Sequence, residues 1–234
     1  MIDVNAAGPR RQFLGQVAAG SAALLASASS IACAAPAPAG DQKPADAAAS
    51  PADAEWLGKL HGSYRQLFDI TEWNSGFPLA YAFNWAKSVR ETYNVGNDDV
   101  CAAIGLRHMG IGPAFSDAIW AKYKLGEFFK INDPKTKAPS VRNFAYLETE
   151  GDMQFPGSSI GKQLEAGAVV SVCNLATTVL SGFTAQAAGL KISAADAYAE
   201  WKAALQPGCH LVPTGVLAVH RFQNPGKCTY CYGG

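Results

Sequence analysis

Apolar runs alternate with helix-like patterns from Tyr64 onward, the rhythm of strand–helix–strand units and a largely parallel sheet. Tyr64–Ile70 predicts a first strand and residues 71–76 a turn. Phe77, Tyr81, Trp85, Val89 and Tyr93 recur at four-residue steps, which predicts a helix that buries that face. Asn97, Asp98 and Asp99 punctuate the chain, and Val100–Leu106 is then apolar without alternation, as a strand covered on both faces requires. Gly110 to Pro113 reads as a loop before a helix carrying Phe115, Ile119, Trp120 and Tyr123.

Residues 132–143 are polar and contain Pro134 and Pro139, the start of a long excursion that reaches Pro156. Such excursions often serve as lids or oligomer contacts. A short helix is expected over 160–166, and residues 168–173 are the clearest central strand. Leu175, Val179, Phe183 and Ala187 then mark the buried face of a helix. Ser193, followed three residues later by Asp196, is a capping box that opens another. A short strand at 211–213, a helix over Gly215–Gln223 and a last strand at 228–232 complete the pattern. The fold class is therefore α/β: a three-layer αβα sandwich around a mostly parallel sheet of about five strands, flavodoxin-like or Rossmann-like.

The N-terminal segment has a different character. Arg10-Arg11-Gln12-Phe13-Leu14-Gly15 leads into an Ala-rich apolar stretch ending near Ala32-Cys33-Ala34, the pattern of a twin-arginine export signal over 1–34. Cleavage after Ala34 is one reading, and lipidation at Cys33 of a poor lipobox is the other. Residues 35–53, rich in Ala, Pro, Asp and Ser, read as a disordered tether, leaving 54–234 as a single domain. The implied compartment is the periplasm, reached in folded form. Lys and Arg number 19 and so do Asp and Glu, with no basic stripe, which argues against nucleic-acid binding. No second apolar stretch is long enough for a transmembrane segment in the mature chain.

In sheets of this class, ligands bind beyond the carboxyl ends of the strands. That rule selects Arg107 and His108 after the second strand, Cys173 and Asn174 after the third, and Thr214 after the fourth. Cys173 stands where a strand meets a helix N-terminus, whose amides and dipole favour a thiolate. The alternative is a small buried apolar residue. His108 is a candidate base or anion partner and Arg107 a candidate anion holder, beside the plainer readings of a loop histidine and a surface ion pair. His108 has no companions at metal-ligand spacing, so no metal site is expected from it. Gly110-Ile111-Gly112 is too short for a dinucleotide fingerprint, and no cofactor is expected. Trp73, Trp85, Trp120 and Trp201 suit a core or a pocket wall. In Cys228-Thr229-Tyr230-Cys231 the two cysteines would point to opposite faces of a strand and not bridge each other. Two readings stand for them: a disulfide from Cys228 or Cys231 to Cys209, or three unpaired thiols.

Two stretches carry a resemblance. Gly167-Ala168-Val169-Val170-Ser171-Val172-Cys173-Asn174, followed by a small-residue helix ending Ala188-Gly189-Leu190, resembles the cysteine-bearing segment of the DsrE/DsrF-like sulfur-relay proteins. Leu211-Val212-Pro213-Thr214-Gly215-Val216-Leu217-Ala218-Val219, with Gln223 and Gly226, resembles that family's closing segment. Segments such as Leu106-Arg107-His108 and Trp120-Ala121-Lys122-Tyr123-Lys124-Leu125-Gly126 are similar to its exported branch. The resemblance implies an αβα fold, homo- or hetero-oligomers, and persulfide transfer at Cys173 with a sulfur donor or acceptor protein. A second expectation comes from the strand ends alone. It is a non-catalytic binding or assembly module whose mouth would be lined by Trp73, His108, Asn174 and Thr214.

Overall fold

The computed structural model describes residues 51–234. The expected export signal, Cys33 and most of the expected tether lie outside the described residues. Five parallel strands, β1 Tyr64–Ile70, β2 Val100–Leu106, β3 Val169–Cys173, β4 Cys209–Val212 and β5 Thr229–Tyr232, form one sheet in the order β4-β3-β2-β1-β5. The connections contain helices α1 Phe77–Tyr93, α2 Asp117–Lys122, α3 Leu125–Phe129, α4 Ile160–Glu165, α5 Asn174–Ala187, α6 Ala194–Ala203 and α7 Gly215–Gln223. The α/β sandwich read from the sequence is what the chain forms.

Crossover chirality explains the layers. From β1 to β4 each strand adds on the same side, so right-handed connections fall on one face of the sheet. Leu79 and Ala82 of α1, Leu180 of α5 and Trp201 of α6 accordingly share a core with Phe68, Ile104 and Val170. The return from β4 to β5 runs the opposite way and must use the other face. There Ala218 and Phe222 of α7, with Trp56 and Leu57, cover Leu67, Ala103 and Val169.

Two expected helix faces are corrected. On α1, Tyr81 and Tyr93 are 44% and 57% exposed, while Leu79, Ala82 and Val89 point inward. Each four-residue step overshoots a full turn by about 40°, so residues sixteen apart cannot share a face. On α5, Leu175 and Val179 are exposed, and Thr177, Leu180, Ser181, Thr184 and Ala185 are buried. The hydroxyls go inside because backbone carbonyls satisfy them: Thr177 Oγ1 donates to Cys173 O at 3.0 Å and Thr184 Oγ1 to Leu180 O at 2.8 Å. Their small volume lets α6 pack closely, and Ser193 caps that helix by accepting the Asp196 N–H at 3.0 Å.

The fold also reaches into the expected tether. Pro51–Ala54 forms a helical turn, and Arg221 Nη2 on α7 donates to Asp53 Oδ2 at 2.6 Å. Composition alone hides this, because the partner is 168 residues away.

Candidate functional site

A parallel sheet has two chemically different edges. At the carboxyl edge strands run into helix N-termini, where backbone N–H groups are left over. Cys173 closes β3 and is the N-cap of α5, with its Sγ accepting the Ala176 N–H at 3.3 Å. Thr214 does the same after β4, its Oγ1 accepting the Leu217 N–H at 3.2 Å. Thr214 thus spends its side chain on capping α7.

Cys173 differs from Cys101, Cys228 and Cys231 in the direction of its hydrogen bond. Cys101, Cys228 and Cys231 donate S–H to the carbonyls of Gly167, Gly226 and Tyr232 at 3.8, 3.9 and 3.8 Å. Burial pushes the Cys101 thiol up, and pushes Cys209 and Cys228 up to about 12. Those three stay protonated near neutral pH. The Cys173 sulfur instead receives a backbone dipole where negative charge would develop. The residue is 7% exposed, which admits only a small reagent unless the chain opens.

The remaining candidates are distributed as follows. The Arg107 guanidinium is bidentate on Asp69, Nε to Oδ1 at 2.7 Å and Nη2 to Oδ2 at 2.9 Å, which raises its pKa further. Tyr230 O–H donates to Asp69 Oδ2 at 2.8 Å, and burial together with that carboxylate pushes the phenol up to about 12. Arg107 therefore holds an internal anion, the Asp69 carboxylate. Gly215 makes room for it, because a Cβ there would lie 2.6 Å from Arg107 Cβ. Asn174 Oδ1 accepts the Tyr198 O–H at 2.9 Å. His108 is exposed at the end of β2, in a left-handed conformation with φ 53°. Among the described residues no group of three or more His, Cys, Asp or Glu could hold a metal ion.

Of the two readings for the carboxyl-end cysteines, the structure has the unpaired thiols and not the disulfide to Cys209. Cys101, Cys173, Cys209, Cys228 and Cys231 are all free thiols. β4 and β5 lie at opposite edges of the sheet, four strand spacings or about 19 Å apart, far beyond disulfide reach. Succession in the chain suggested neighbouring strands, whereas the return crossover separates them.

Sequence reasoning missed a cleft that the long excursion builds beside the carboxyl end of β1. Its volume is about 420 Å3, and its walls include Trp73, Gly76, Lys130, Lys137, Phe155 and Ser158. Trp73 lines this cleft together with Ser75, Gly76 and residues of 130–158, and His108, Asn174 and Thr214 are not among its walls. Arg142 staples the excursion, with Nε to Asp133 Oδ2 at 2.5 Å and Nη2 to Asp152 Oδ1 at 2.6 Å. It holds the Asp152 carboxyl well below the usual carboxylate range. Asn143 Nδ2 ties the excursion to the domain by donating to Pro113 O and Phe115 O, both at 2.7 Å. The prolines and polar residues signalled an excursion, but nothing local signals that it folds back over Trp73.

Among the described residues no helix is long and apolar enough to cross a membrane. No protein-family model matches the chain, and neither a curated protein nor a solved structure matches it significantly.

Proposed function

We propose that the protein handles sulfane sulfur, carrying it as a persulfide on Cys173. The observation that carries this reading is the Ala176 N–H donated to Cys173 Sγ at 3.3 Å, at a junction of strand and helix. The resemblance of 167–174 and 211–219 to DsrE/DsrF-like proteins points to the same chemistry. The transfer balances without a further reagent. The Cys173 thiolate attacks the outer sulfur of an organic persulfide, R–S–SH. A new S–S bond forms, the old one breaks, RS⁻ leaves, and the proton stays on the transferred sulfur as Cys173–S–SH. An acceptor thiolate then attacks that outer sulfur and restores the Cys173 thiolate. Exposed His108 is the candidate partner for the thiolate, and the export signal would place the exchange in the periplasm. A second reading, a binding module, is favoured by the cleft at Trp73 and stands on different residues.

Incubation with glutathione persulfide followed by mass mapping tests the first reading. The Cys173 peptide should gain about 32 Da, one sulfur atom, that a reductant removes. Cys173→Ser keeps a good N-cap and hence the fold. Equal adducts on wild type and Cys173→Ser would overturn the proposal.

A further inference from the structure

We propose that the cleft between the β1–α1 turn and the 130–158 excursion is a binding site for a small aromatic carboxylate. It rests on none of the residues argued for sulfur transfer. Its volume of about 420 Å3 lies within the range of small-molecule sites, roughly 300–1,000 Å3.

The chemistry of the walls selects the ligand. Trp73 and Phe155 line one part, and Trp73 is braced edge-on against Phe144, with ring centroids 5.6 Å apart. Braced aromatic walls favour a flat apolar body. Lys130 and Lys137 line another part and neither has an ion pair among the described residues; the Lys137 ammonium donates to Pro134 O at 2.5 Å. Among the described residues of the lining the one carboxylate, Asp152, has a fully buried side chain already held by Arg142 and Lys135. The cleft therefore carries uncompensated positive charge. Separate ammonium groups are point charges, each able to pair with one oxygen of a carboxylate.

The backbone is shaped to keep the cleft open. Asn74, Ser75 and Gly76 follow one another in left-handed conformations, with φ of 38°, 56° and 81°. Two non-glycine residues in succession there, Asn74 and Ser75, cost conformational energy that the surrounding structure must hold in place, and such strain clusters at ligand clamps. A Cβ on Gly76 would come within 3.2 Å of the Trp73 ring. Glycine at that position lets the indole lie back as a wall. Ser158, buried at the cleft lining, has an Oγ with no hydrogen-bond partner among the described residues, so the polar complement of this region is completed by a guest or water.

The test uses the full chain with 1-naphthoate and its neutral counterpart 1-naphthylmethanol, followed by calorimetry and by the Trp73 indole NMR signal, assigned with Trp73→Phe. Naphthoate should bind with a Kd of about 1 mM or tighter, as expected for a ligand of its size, and shift the Trp73 signal. The alcohol should bind about tenfold more weakly. Lys130→Gln with Lys137→Gln should weaken naphthoate about tenfold, leave the alcohol unchanged, and preserve the thermal transition. No binding at about 10 mM, equal affinity for both probes, an unmoved Trp73 signal, or indifference to the lysine changes would each overturn the proposal.

Discussion

The carboxyl and amino edges of the sheet hold the same residue types in opposite states. Cys173 at the carboxyl edge and Cys209 at the amino end of β4 are almost equally buried, 7% and 6% exposed. Yet Cys173 accepts a backbone N–H, while burial pushes Cys209 up to about 12. The two edge arginines differ in the same sense. Arg107 holds the buried Asp69 carboxylate, whereas Arg65 Nε donates to the carbonyls of His61 and Gly62 at 3.1 and 2.9 Å. One edge offers amides and keeps anions, and the other offers carbonyls and keeps protons and cations. For Cys173 and Cys209, position along a parallel strand thus separates the two thiols where burial alone does not.

The largest stability effect should come from Arg107→Met. It keeps the apolar stem but leaves the Asp69 carboxylate, 1% exposed, with the Tyr230 hydroxyl as its one side-chain partner among the described residues. A buried charge stripped of its partner costs about 3–5 kcal/mol, measurable by urea unfolding. A loss under about 1 kcal/mol would show that the carboxyl edge does not depend on holding this anion. Arg65→Met at the other edge removes hydrogen bonds to neutral carbonyls and strands no charge, so about 1–2 kcal/mol should be lost. Equal losses for the two variants would erase the difference between the edges.

Much of this architecture was legible because two patterns are hard to mistake. Val100–Leu106 is a strand buried along its whole length, and its unbroken apolar run said so. Cys173 was also legible, since an apolar run ending in Cys-Asn before a small-residue helix announces a strand–helix junction. The inward face of α5 was not, because Thr177 and Thr184 look polar until their hydroxyls are seen bonded to carbonyls one turn back. Arg107 invited an anion-site reading because its partner, Asp69, lies on a different strand 38 residues earlier. The cleft at Trp73 depends on how Arg142 gathers Asp133 and Asp152, an arrangement with no local periodicity. What the chain specifies locally could be read; what depends on tertiary return could not.

The most direct test of the central claim, that an amide rather than exposure singles out Cys173, is site-resolved alkylation by iodoacetamide across pH. Cys209 serves as an internal reference of equal burial. At pH 7 Cys173 should react about 100-fold faster or more, since a thiol near 12 has almost no thiolate there. Ala176→Pro removes the donated N–H in the first turn of α5, at a position whose N–H has no intrahelical acceptor. It should slow Cys173 about tenfold at pH 7 and leave Cys209 and the circular dichroism unchanged. Equal rates at Cys173 and Cys209, or a Cys173 rate that ignores Ala176→Pro, would contradict the account.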